Sequence, residues 1–167
     1  MKKSSGPLSA AIILVIVAVV AATALGLAGC GGSGTSDKNI PDAAAATDTA
    51  TTWADAVGTN GLTDTLNGAG PFVAFVSSNA AVGKAGASAL TGDVQKAMII
   101  AATDGKVPTD EELHTGLKSA SMLDGNDVTT YTGSDGKFYM NAMEVTAGPI
   151  EAKNGTIYVV EGLVTPK

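Results

Sequence analysis

Few side chains in this chain are of a type that does chemistry, and their positions limit what that chemistry is. The one cysteine, Cys30, closes the run Leu27-Ala28-Gly29-Cys30. Small residues ahead of a cysteine let a signal peptidase take the backbone extended. A cut between Gly29 and Cys30 then leaves a sulfur that accepts a diacylglyceryl group. The pattern matches the bacterial lipobox, so Cys30 reads as a lipidation site. His114, the one histidine, falls in an acidic segment read as helical and exposed. No Gly-x-Ser-x-Gly turn supplies a serine for it to activate. One histidine and one acylated cysteine cannot complete a tetrahedral zinc site. No catalytic residue, metal-ligand set or cofactor is therefore assigned.

Two further clusters imitate sites. Asp124-Gly125-Asn126-Asp127 resembles the start of a calcium loop, but the Gly at the sixth position and the closing Glu are missing, so it reads as a polar turn before Val128. Asn154-Gly155-Thr156 fits a glycosylation sequon, although Asn-Gly already accounts for a turn there.

The elements that carry these residues begin with Lys2 and Lys3 ahead of an uncharged apolar run over residues 10–27. With the lipobox this makes residues 1–29 a lipoprotein signal peptide. The competing reading is an uncleaved transmembrane helix, since the run approaches the roughly 20 residues that span a bilayer. Gly26, Gly29 and the Gly-Gly-Ser-Gly that follows weaken such a helix end. Both readings put the rest of the chain outside the cytoplasm, because lysines precede the run and none follows until Lys38. Residues 30–41 are small and polar and read as a lipidated flexible tether with a reach of roughly 15–20 Å. Acyl chains contributing about 0.8 kcal/mol per buried methylene would hold it on the membrane.

Residues 42–167 are the size of one domain. Without Lys2 and Lys3 the exported part has eight lysines against sixteen acidic residues, a net charge of −8, and no arginine. That balance disfavours nucleic acid and other phosphate-rich partners. It also removes the side chain best suited to gripping carboxylate or phosphate.

The spacing predicts a helix capped by Asp42 with Trp53 and Val57 on one face, then a second face carrying Leu62 and Leu66. Residues 72–76 are apolar without a break, between Gly70-Pro71 and Ser77-Ser78-Asn79. This predicts a core strand buried on both faces. Pro71 suits a strand start, and Asn79 is read as the cap of a short helix over 80–82. Residues 83–92 read as irregular. Val94, Ala97, Met98 and Ala101 recur at helical spacing behind Thr91 or Asp93. Pro108 opens another helix with acids in its first turn. Residues 128–132 and 137–145 flank an Asp-Gly hairpin turn. A second turn is expected at 153–155, followed by a strand in which Ile157 and Val159 alternate with Tyr158 and Val160.

Two of these segments carry a resemblance. Residues 61–79, Gly-Leu-Thr-Asp-Thr-Leu-Asn-Gly-Ala-Gly-Pro-Phe-Val-Ala-Phe-Val-Ser-Ser-Asn, resemble the first signature of fasciclin domains. Residues 154–166, Asn-Gly-Thr-Ile-Tyr-Val-Val-Glu-Gly-Leu-Val-Thr-Pro, are similar to the second. The resemblance implies an α+β module, a bent β-sandwich or wedge of strands covered by several short helices, acting in cell adhesion and matrix contact. It assigns structural roles to Pro71, Phe72, Asn79, Asn154, Gly155, Ile157, Gly162 and Pro166. Family members often carry a Tyr-His pair between the signatures, linked to integrin contact in animal proteins. Here Ile100 and Ala101 stand in its place, so receptor contact of that kind is not implied.

The expected protein is thus held on the outer face of the membrane through acylated Cys30. It adheres without catalysis to an extracellular protein or polysaccharide. The alternative is a small-ligand carrier with an apolar pocket near Met98, Met122, Met140 or Met143, residues that serve more often as core filler.

Overall fold

The computed structural model describes residues 37–116 and 120–166. The signal segment, Gly29, Cys30 and most of the tether lie outside the described residues. Strand β1 (Phe72–Ser77) is buried along its whole length, as an unbroken apolar run requires. It lies between β2 (Ile99–Ala101), which is antiparallel to it, and β6 (Gly155–Val160), which is parallel. Parallel neighbours need a long connection, and here the intervening elements supply it. The six strands run in the order β2-β1-β6-β5-β4-β3, with β3 (Thr130–Thr132), β4 (Phe138–Met140) and β5 (Met143–Ala152) completing the sheet.

β5 is the strand about which the sheet changes direction. Met143 and Glu144 pair with β4, whereas Val145 to Ala152 pair with β6 across two irregular steps in register. Extra residues of this kind bend a strand and increase its twist. The sequence pattern expected one strand over 137–145; instead a tight turn at Asn141-Ala142 separates β4 from β5. Both turn residues have positive φ, 46° and 66°, the backbone that a two-residue hairpin turn requires. Asn141 holds it by accepting from the Thr129 amide at 2.9 Å and donating its own amide to the Thr129 carbonyl at 2.8 Å.

The helices are α1 (Ile40–Ala45), α2 (Thr51–Thr59), α3 (Thr63–Leu66), α4 (Asn79–Ala85), α5 (Gly92–Lys96) and α6 (Asp110–Gly116). The single helix expected behind Asp42 is two, and Asp42 sits in the first turn of α1 instead of capping it. α1 begins at Ile40, inside the stretch read as tether, and Ile40 is fully buried. Trp53, Val57, Leu62 and Leu66 are all interior, as their spacing predicts. The stretch read as irregular holds the last three residues of α4, a 3-10 turn at Ala87–Ala89 and the first residue of α5.

α5 is capped by Thr91, whose hydroxyl accepts from the Val94 amide, and it ends at Lys96. The helical period alone predicts a helix as far as Ala101. Ile99 and Ile100 are β-branched and meet the open edge of β1, where ladder hydrogen bonds and burial outweigh the period. α6 carries a reciprocal cap. The Thr109 amide donates to Glu112 Oε2 at 2.8 Å while the Glu112 amide donates to the Thr109 hydroxyl. The Thr109 amide, then the Thr109 hydroxyl, which also donates to Oε2, hold the Glu112 carboxyl below its ordinary range.

Candidate functional site

The two signature segments lie against each other. Phe75 is aligned with Tyr158 and Val76 with Val159 in the β1–β6 pair, and all four are interior. Ile157 and Phe72 belong to the same core cluster. The last strand was expected to show two differing faces, yet Ile157 to Val160 are all buried. One reason is that Tyr158 stacks on Phe75 at 5.5 Å and donates its hydroxyl to Asp110 of α6. Burial, then that bond, pushes its phenol far above the ordinary range.

Asn154 ties the signatures to the N-terminal helices. Its Oδ1 accepts from the Ile40 amide at 3.0 Å, and its Nδ2 donates to the carbonyls of Leu66 at 2.6 Å and Gly68 at 2.8 Å. Its own carbonyl accepts from the Phe72 amide at 3.0 Å. One nearly buried side chain therefore satisfies the start of α1 and the end of α3, both of which leave backbone groups unpaired. The amide of the sequon is engaged and enclosed in the fold.

Asn79 does something other than the sequence suggests. Ser78 caps α4, accepting from the Ala81 amide at 3.1 Å. Asn79 turns its carboxamide to α2: Oδ1 accepts from the Thr52 amide at 2.9 Å, and Nδ2 donates to the Asp48 carbonyl and the Thr51 hydroxyl. α2 starts after Ala50, which has no polar side chain to offer, so its cap comes from the first signature.

The remaining signature residues fill tight places. A Cβ on Gly155 would overlap the Phe72 backbone, and one on Gly162 would reach the Met143 sulfur. The Gly162 carbonyl accepts from the buried Ser77 hydroxyl at 2.9 Å. Pro71 follows a cis peptide bond at Gly70 and stands one residue ahead of β1. Pro166 lies in the terminal segment, whose residues border two open surface grooves.

Groups of a reactive type are likewise held by neighbours. His114 is half-buried, not simply exposed, because its ring stacks on Phe138 at 4.1 Å and Nδ1 lies 2.8 Å from the Asp110 carbonyl. Asp124 accepts from the Asn126 amide at 3.0 Å, closing a polar turn. Met98, Met122 and Met140 are core residues. Sequence reasoning missed Gln95, a fully buried carboxamide that donates to the Trp53 carbonyl and accepts from Asn60 Nδ2 at 2.8 Å.

It also missed a pair of rings on the outer hairpin. Tyr131 and Tyr139 face each other across β3 and β4 and stack at 5.2 Å. Asp135 in the turn accepts from the Tyr139 hydroxyl at 2.7 Å and from the Lys137 amide at 3.1 Å. The Tyr139 bond, then the Lys137 amide, hold the Asp135 carboxyl below its ordinary range, and the same bond pushes the Tyr139 phenol up to about 12. A raised phenol keeps this bond below the ordinary tyrosine value of about 10 and loses it as the pH rises through about 12. The lowered carboxyl keeps its share above about pH 4 and loses it as the pH falls through its depressed pKa. In an alkaline absorbance titration, Asp135→Asn is therefore expected to bring Tyr139 ionisation back toward about pH 10 while Tyr158 stays late. An unchanged titration curve would show that the bond is not what raises Tyr139.

The fasciclin domain family model matches residues 48–166, and the chain belongs to that family. Among solved structures it is similar to a FAS1 domain pair from the insect cell adhesion molecule fasciclin I, with a TM-score of 0.66 and 13% identity over 78% of this chain. The chain spans 51% of the length of that pair. At this identity the likeness speaks for the fold, a single FAS1 domain of mixed α+β build, as the resemblance implied. A comparison with curated proteins gave no match.

Proposed function

We propose that this is a lipid-anchored extracytoplasmic fasciclin-domain protein that mediates cell or matrix adhesion by non-catalytic binding. The observation that carries the reading is the order of parts: a lipobox-like Leu27-Ala28-Gly29-Cys30, a short polar spacer, then a fasciclin domain. Fasciclin domains are generally adhesion domains without catalysis. The reactive-type side chains support this, since His114, Asp110 and Tyr158 are spent on packing and on one another. Many copies on one membrane multiply weak contacts, because tethering raises the effective concentration.

Deleting the gene is expected to lower attachment of cells to neighbouring cells or to at least one matrix- or polysaccharide-coated surface. Cys30→Ser is expected to release the protein from the membrane and lower attachment to the same level. Unchanged attachment across all surfaces would overturn the proposal.

A further inference from the structure

The chain has five methionines, and those beyond Met1 fall in two environments. Met98, Met122 and Met140 are 0%, 4% and 0% exposed. Met143 is half-buried and packs on the edge of the same core. A thioether is oxidised as fast as an oxidant reaches its sulfur, so burial protects the first three and leaves Met143.

Met143 stands where three parts of the fold meet. It opens β5, pairs with Met140 across the Asn141-Ala142 turn, and lies beside Gly162, where β6 has ended and the terminal segment begins. A Cβ at Gly162 would stand 2.5 Å from the Met143 Sδ and 2.8 Å from its Cγ. The thioether is therefore laid against the bare backbone of Gly162, with no room for a further atom between them.

The terminal segment has few other holds. The Gly162 carbonyl accepts from the buried Ser77 hydroxyl at 2.9 Å. Among the described residues, Leu163, Val164, Thr165 and Pro166 make no hydrogen bond. Leu163 and Val164 are half-buried and are held by packing against the core. Open grooves of about 530 Å³ and 470 Å³ flank the segment, toward α4 on one side and toward the turn at 124–127 on the other. A stretch with few apolar contacts and no backbone bonds opens at little cost.

From these contacts we infer that Met143 is a site of oxidative modification whose sulfoxide releases residues 162–166 from the core. The oxidant is a hydroperoxide. With hydrogen peroxide, a sulfur lone pair attacks one oxygen as the O–O bond breaks and an S–O bond forms. The hydroxide released takes the proton from the sulfur-bound oxygen and leaves as water. The sulfur loses two electrons and the peroxide gains them. The product is a polar, chiral side chain, and its oxygen draws the sulfur toward water, because a buried acceptor without a donor is costly. The side chain then leaves Gly162, and Leu163 and Val164 lose one wall of their seat. The inference stands apart from the adhesive reading, since it needs only the domain and a peroxide.

The test treats the full chain in detergent micelles with hydrogen peroxide and follows each methionine by mass spectrometry of its peptides. Met143 is expected to oxidise at least about tenfold faster than Met98, Met122 and Met140, and the four rates are expected to converge in urea. NMR relaxation then reads the segment. After oxidation, amide order parameters of residues 162–165 are expected to fall below about 0.6, the flexible range, while those of β1 and β6 stay at about 0.85. Met143→Leu keeps an apolar side chain of similar size, and its segment is expected to stay ordered before and after peroxide. A buried methionine oxidising as fast as Met143 would overturn the inference. So would a segment already flexible before treatment, unchanged order at 162–165 once Met143 is oxidised, or loss of that order in peroxide-treated Met143→Leu.

Discussion

Replacing Asn154 with alanine is expected to destabilise the domain by about 3 kcal/mol, because a buried group left without its partner costs about 1–3 kcal/mol. The Ile40 amide and the Leu66 and Gly68 carbonyls lose their partner together, and no neighbouring side chain takes Asn154's place in a methyl-sized remnant. In a domain of this size the loss corresponds to a fall in Tm of about 10 °C. Asn154→Asp keeps the acceptor for Ile40 but turns a carboxylate oxygen toward two carbonyls, so it is expected to recover little. Thermal and urea unfolding followed by circular dichroism check both variants. A loss below about 1 kcal/mol for Asn154→Ala would show that water replaces the clasp.

Gly155→Ala is expected to cost more, above about 4 kcal/mol, which places it among the exceptional single substitutions. The added carbon would overlap the carbonyl and amide of Phe72, and those are backbone atoms of the β1 strand, not the end of a flexible side chain. Relief requires β1 and β6 to move apart in the interior of the sheet. Gly58→Ala is the matched control. It sits inside α2 with open space where the methyl would go, and is expected to gain about 0.5–1 kcal/mol from helix propensity. Soluble yield and urea midpoints of the two variants should therefore move in opposite directions. A Gly155→Ala protein as stable as the parent would mean that β1 and β6 are not packed as described.

How much of this was readable from the residues depended on whether the decisive interaction was local. The strand at 72–77 was legible because Gly70-Pro71 and Ser77-Ser78-Asn79 bound an unbroken apolar run. The Asp-Gly hairpin and the Asn-Gly turn were legible because the turn chemistry is in the dipeptide. Ile99 to Ala101 were not, since only the open edge of β1 makes them a strand. The turn at Asn141-Ala142 was hidden because alanine with positive φ carries no signal of its own, and Thr129 holds it from a distance.

Asn79 shows the same limit. Its residue type announced a cap, but the helix it caps is earlier in the chain. The Tyr131–Tyr139 pair was within reach: a hairpin register centred on Asp135 aligns Tyr131 with Tyr139 and Thr132 with Phe138. Exposure becomes visible only once the fold closes.

The fold supplies the module that is presented, and the proposed acylation of Cys30 would fix where. The most direct test is mass spectrometry of the amino-terminal peptide of the membrane-associated protein. A chain beginning at Cys30 and carrying a diacylglyceryl group on its sulfur is the predicted result. A chain beginning at Met1 with an unmodified Cys30 thiol, or mature protein free in the cytosol, would contradict the account.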